Sequence, residues 1–148
     1  MDAIEGLKAG KVTAGDVLVL RGLGVRGGPG MGMASRVVFA IEGAGLGEEV
    51  AVVTDGQLSG LVNKGLVVGE VTPEAHGGGP LGLVQDGDRI TIDVLARRVD
   101  VDMDAAEMDA RRAALPAVGH SGQRGWLSIY EGEVEPLSRG AVLIPPRG

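Results

Sequence analysis

Cysteine is absent from this 148-residue chain. That excludes disulfides, cysteine-ligated zinc and any iron–sulfur cluster held by the chain's own thiolates. Aromatic residues are scarce, with one Trp, one Tyr and one Phe, so a core must be assembled from Val, Leu, Ile and Ala. Basic charge is short: 14 Lys and Arg stand against 20 Asp and Glu, for a net charge of -6. Nucleic acid, which calls for a basic patch and stacking rings, is therefore not an expected partner. No apolar run approaches the roughly 20 residues of a membrane helix, so no membrane partner is expected. Met1 opens an acidic segment rather than a signal peptide, and the expected compartment is the cytoplasm.

Glycine is plentiful, at 27 residues without a G-x-y period. Many tight turns and loops follow from that, rather than a collagen-like fibre. With 44% hydrophobic and 23% charged residues, the composition is that of a globular protein with a real core. The length suits one domain over residues 1–148 and is too short for two full-sized ones.

Hydrophobic patterning predicts a short helix over 2–9, capped by Asp2 and stopped by Gly10. Strands are predicted at Asp16–Arg21, Glu49–Thr54 and Leu66–Val71. Apolar residues at Met33, Val37, Val38 and Ile41 have helical spacing over Met33–Glu42. Leu81–Gln85 and Arg89–Leu95 read as strands around the Asp86-Gly87-Asp88 turn, with Arg97–Val101 continuing or pairing with them. Asp104–Leu115 is the clearest helix, with a capping Asp104, Glu107 three residues on, and Arg111 and Arg112 near its negative end. Trp126–Tyr130 and Ala141–Ile144 are predicted as late strands, and Pro145-Pro146 as the end of the ordered chain. The fold class expected is mixed α/β with more strand than helix, a compact barrel or sandwich with a few flanking helices.

Three glycine loops are the places where chemistry could sit: 22–32, 55–65 and 75–80. The first, with Gly28 and Gly30, precedes a helix, and glycine-rich backbone entering a helix can bind an anion through its N–H groups. It has neither the P-loop nor the dinucleotide-binding spacing, and its plainer reading is an ordered loop allowing close backbone packing. The second loop, Thr54-Asp55-Gly56-Gln57-Leu58-Ser59-Gly60, leaves a buried strand, where a side chain is well placed to enter a cleft. Ser59 there can be a nucleophile or base if an imidazole or metal activates it, or a turn serine capping a backbone N–H. Asp55 is either an Asx-turn residue or a ligand. Lys64 is either a surface charge or an anion contact. His76 and His120 lie far from Ser59 in sequence and read as loop residues. The acidic run Asp100, Asp102, Asp104, Glu107, Asp109 lacks the glycine of a calcium loop and reads as a solvated face.

One string carries a family resemblance. Val52-Val53-Thr54-Asp55-Gly56-Gln57-Leu58-Ser59-Gly60, then Val71-Thr72-Pro73-Glu74-Ala75, then Gly78-Gly79-Pro80 and Val84-Gln85-Asp86-Gly87-Asp88-Arg89-Ile90, resembles the C-terminal domain of the dihydroxy-acid and phosphogluconate dehydratase family. Gly27-Gly28-Pro29-Gly30-Met31, Gly43-Ala44-Gly45-Leu46-Gly47, Arg124-Gly125-Trp126 and Ser138-Arg139-Gly140-Ala141-Val142 extend the resemblance over nearly the whole chain. It implies a β-barrel-like swivelling β/β/α domain, similar to that of the aconitase-type isopropylmalate small subunit. It also implies a hydro-lyase chemistry, in which 2,3-dihydroxy or sugar acids lose water to give 2-oxo acids. In the family an iron–sulfur cluster of an N-terminal domain acts on the leaving hydroxyl, and magnesium holds the carboxylate. A serine alkoxide takes the proton at carbon 2, and that serine falls on Ser59. Substrate contacts implied around it are Asp55, Gly56, Gly60, Lys64, Gly28 and Gly30.

Four departures stand against the pattern. The family's magnesium-binding glutamate falls on Met33, whose thioether is a poor ligand for a hard cation. Gln57 stands where the family has arginine, and Leu58 where it has Phe or Met. Glu70 stands where it has histidine. No metal site is therefore expected on this chain, and the cluster-bearing N-terminal domain lies outside it. The expected function is a dehydratase C-terminal domain or subunit, inactive alone, acting on a small acid with an N-terminal domain or chain as partner. The alternative is a non-catalytic binding or interaction module derived from that domain. An exposed edge strand is expected to favour a homodimer.

Overall fold

A computed structural model describes residues 3–116 and 122–144. Helix α1 (Ala3–Lys8) ends where Gly10 takes a left-handed φ of 65°. Strand β1 (Val17–Leu20) follows, then a long glycine loop, then α2 (Ser35–Gly43). Strand β2 (Ala51–Thr54) lies between β1 and the two-residue β3 (Val67–Val68), all parallel, in the order β1-β2-β3. Val38 and Ile41 of α2 pack on Val50 and Val52, with Leu18, Leu20 and Leu58 filling in around them. This aliphatic cluster supplies the burial that rings provide in most cores.

A separate antiparallel pair, β4 (Ile90–Asp93) and β5 (Arg98–Val101), precedes α3 (Ala105–Ala114). Asp104 caps α3 as its sequence predicts, accepting the Glu107 N–H at 2.8 Å. Arg111 of α3 holds Asp88, Glu107 and the Leu83 carbonyl, joining the helix to the turn before β4. Helix α4 (Trp126–Glu133) closes the described chain together with a 3-10 turn at Leu137–Arg139.

The fold class is mixed α/β, but several predicted elements differ. Helical residues outnumber strand residues, and the described strands form an open three-stranded sheet plus a hairpin rather than a closed barrel. Leu81–Gln85 is not a strand: Pro80 starts a 3-10 turn through Leu83. The Gly82 and Val84 carbonyls accept from the Arg21 guanidinium at 2.9 and 2.6 Å instead of from a ladder. The partner of β4 is therefore β5. Trp126–Tyr130 is helical, not a strand, and its apolar residues do not form a buried face: Trp126, Leu127 and Ile129 are exposed and Glu131 is the buried residue of the helix. Ala141–Ile144 makes a single bridge, Val134 to Leu143, since Ala141 at φ 50° interrupts an extended run. Leu66–Val71 pairs regularly only over Val67–Val68, broken by Glu70 at φ 56°. The Asp2 cap, His120 and Pro145-Pro146 lie outside the described residues.

Candidate functional site

The three parallel strands deliver the first two glycine loops and the Gly69–Pro80 segment to one end of the sheet, the carboxyl end, where open α/β sheets place their sites. Backbone bonds zip the first two loops together. Ala34 N–H donates to the Gln57 carbonyl and Gln57 N–H to the Gly32 carbonyl, both at 2.9 Å. This approach requires glycine: a Cβ on Gly56 would lie 2.7 Å from the Leu23 Cβ and 2.8 Å from the Gly32 oxygen.

Two buried carboxylates occupy the amides of the first loop. Asp55, 1% exposed, accepts N–H bonds from Gly22 and Leu23 at 3.0 Å and from Ala75 at 2.9 Å. Glu74, 9% exposed, accepts from the Arg26 N–H at 3.2 Å and the Gly27 N–H at 3.1 Å. The anions cradled by this glycine-rich backbone are thus the chain's own side chains. The Gly28 N–H is also engaged, donating to the Gly24 carbonyl at 2.9 Å. Gly30 sits at the exposed tip with a φ of 86°. Arg26 reaches the other way, donating through Nε and Nη2 to the Val134 carbonyl at 3.0 and 2.7 Å.

Ser59 is half-buried in the turn beyond β2. Its N–H donates to the Oγ of Ser35, the first residue of α2, at 2.7 Å, and its own Oγ accepts the Leu61 N–H at 3.3 Å. It lines neither of the two larger clefts. Gly60 beside it is exposed. Asp55, Gly56, Ser59, Gly60, Gly28 and Gly30 therefore belong to one cluster of loops, whereas Lys64 does not join them. Lys64 pairs with Glu42 at 3.0 Å at the far end of α2, and that bond and charge raise its pKa. Seven residues of helix separate Ser35 from Glu42, about 10 Å. His76 lies 3.8 Å from the buried Glu131, on α4, and has no part beside Ser59.

Sequence reasoning missed Ser35, Arg26 and the clamp formed by Glu74. Ser35 is the first helical residue after the Ala34 cap position, and nothing local announces that its hydroxyl serves a loop 24 residues away.

The donor set does not suit a hard divalent cation. Met33 is 59% exposed and offers sulfur, and the loop carboxylates Asp55 and Glu74 are filled by backbone N–H groups. No group of three or more His, Asp or Glu able to hold a metal occurs among the described residues. No helix among them is long and apolar enough to cross a membrane.

Residues 1–141 match the family described as dihydroxy-acid/6-phosphogluconate dehydratase C-terminal. A dihydroxy-acid dehydratase of Anaeromyxobacter dehalogenans is 48% identical over 142 residues, covering 96% of this chain and 25% of the relative. Dihydroxy-acid dehydratases of Hydrogenobaculum and of Pyrobaculum neutrophilum are 42% and 43% identical, covering 96% and 99% of this chain and 26% of each relative. The chain spans about a quarter of the length of these curated relatives.

Proposed function

The chain belongs to the dihydroxy-acid/6-phosphogluconate dehydratase C-terminal family, and from that premise we propose that it is the base-bearing, swivelling part of a hydro-lyase. Its substrate class is 2,3-dihydroxy or sugar acids, and its product class 2-oxo acids. Ser59 is the proton acceptor. The observation that carries this reading is the seating of Ser59: its N–H is tied to Ser35 at the positive end of α2, and its Oγ receives an N–H from Leu61. Both a helix N-terminus and a donated N–H favour negative charge on that oxygen. Asp55 and Glu74 act by holding the neighbouring loop, and Gly56 and Gly60 leave room beside the hydroxyl.

The family implies an iron–sulfur cluster and magnesium; the chain has no cysteine for the first, the described residues offer no suitable donor set for the second, and no step is derived through either. The proposed partner is a cysteine-bearing N-terminal dehydratase portion, the three-quarters of the relatives that this chain does not cover. The isolated chain is expected to leave a dihydroxy acid unchanged. Joined to the remaining portion of the Anaeromyxobacter dehalogenans enzyme, it is expected to release a 2-oxo acid, and Ser59→Ala to lower that rate by about 10²–10⁴-fold. Full activity of Ser59→Ala in that hybrid would refute the base assignment, and turnover by the isolated chain would refute the division of labour.

Met33 supports a second reading, a non-catalytic module that binds a small acid or a protein. In that case Met33→Glu restores nothing in the hybrid, and the hybrid is inactive from the outset.

A further inference from the structure

Strand β1 is an edge strand, paired on one side only. Ala51 donates its N–H to the Asp16 carbonyl, and the alternation of a parallel ladder then turns Leu18 and Leu20 toward β2. Val17 and Val19 therefore present their N–H and C=O groups to the opposite side, where no described strand pairs with them. A cleft of about 860 Å³ runs along that edge. Its far wall is the segment Val84–Ile90, which leads into β4. Arg21 closes one end by bonding to the Gly82 and Val84 carbonyls. Several charged groups of the walls already have partners: Asp16 takes the Thr13 N–H, and Asp88 takes Arg111. The β1 wall of the cleft offers backbone polarity flanked by aliphatic side chains, and Lys11, Asp86 and Arg89 also line it.

We infer that this cleft is a slot for one extended strand that pairs with β1, and that the strand comes from the portion of a dehydratase polypeptide preceding this domain. Ala3, the first described residue, lies on the wall of the same cleft. Polypeptide joined ahead of it, as in relatives four times as long as the matched region, is delivered directly to the slot. Pairing there satisfies the outward groups of Val17 and Val19 and covers an edge that otherwise invites non-specific association. The choice of occupant rests on the proposed function, whereas the slot itself rests on β1 and its cleft. This is strand addition, in which main-chain bonds provide affinity and alternate side chains provide selectivity.

Amide hydrogen exchange tests it on two proteins: the 148-residue chain, and the same chain extended by the stretch immediately preceding the matched region of the Anaeromyxobacter dehalogenans dehydratase. The extension is expected to slow exchange at Val17 and Val19 by about tenfold or more, the signature of amides moved into a protected ladder. Leu18 and Leu20, already facing β2, change less. Unchanged exchange at Val17 and Val19 overturns the inference, as does new protection confined to Val67 and Val68 on the opposite edge. Protection that grows with concentration in the unextended chain also overturns it, by making a second copy the occupant. Exchange at Val17 and Val19 reads the slot alone, and turnover of the Ser59→Ala hybrid reads the base alone, so either claim can fail while the other stands.

Discussion

The Ser35 hydroxyl accepts the Ser59 N–H at 2.7 Å, so the first residue of α2 fixes the backbone of the loop that leaves β2. The two residues are 24 apart in sequence. Removing the hydroxyl leaves a partly buried N–H without its acceptor, at a cost of about 1–3 kcal/mol. Ser35→Ala is expected to lower the urea midpoint by a corresponding amount and to move the Ser59 amide resonance upfield. A Ser35→Thr variant keeps the acceptor and is expected to leave the Ser59 amide resonance near its wild-type position.

Asp55 holds three backbone N–H groups from two loops, and it is nearly inaccessible. Asp55→Ala strands all three donors, and the expected loss is about 3–5 kcal/mol, several times that of an ordinary surface change. Asp55→Asn presents an NH₂ group to donors that need an acceptor, so it is expected to recover only part of the loss. Denaturant unfolding of both variants measures the difference. Wild-type stability in Asp55→Ala would show that the clamp does not hold the loops.

Glycines differ sharply in what they permit. A Cβ on Gly79 collides with the Pro73 carbonyl, which is backbone and cannot swing aside. Gly79→Ala is expected to cost about 3 kcal/mol or more, at the upper end of overpacking effects. Gly30 has open space around it and only a left-handed φ of 86°. Gly30→Ala is expected to cost about 1–2 kcal/mol, from backbone strain alone. Thermal melts of the two variants should fall in that order.

The Asp88–Arg111 pair predicts an acid limb. The Arg111 hydrogen bond, followed by the Gln85 N–H, lowers the Asp88 pKa below its ordinary value. A depressed carboxyl stabilises the fold above its unfolded pKa of about 3.9 and ceases to do so as pH falls through the folded value. Asp88→Asn is therefore expected to be less stable than wild type at pH 6, with the gap narrowing as pH falls below 4. A gap that stays constant from pH 6 to pH 3 would remove Asp88 as the source.

Much of the frame was readable from local pattern. β1, α2, β2 and α3 fall where apolar spacing and caps place them, and Asp104 caps α3 through the predicted residue. Helix α4 is not legible locally, because Trp126–Tyr130 is rich in strand-favouring residues and presents no buried apolar face that would mark a helix. The 3-10 turn after Pro80 was missed because its cause, the Arg21 guanidinium taking the Gly82 and Val84 carbonyls, lies some 60 residues away.

Composition by itself determined that the core is aliphatic and that no thiolate chemistry resides here, since neither depends on how the chain is folded. The family and the position of Ser59 were likewise written in linear order, in the motifs between Val52 and Glu74. Only the tertiary structure decided what those motif residues touch. It turned Asp55 and Glu74 inward onto loop amides, set Ser35 under Ser59, and moved Lys64 away to Glu42. Hydrogen bonds between loops depend on the parallel register of β1, β2 and β3, and that register arises from burial of side chains distant in sequence.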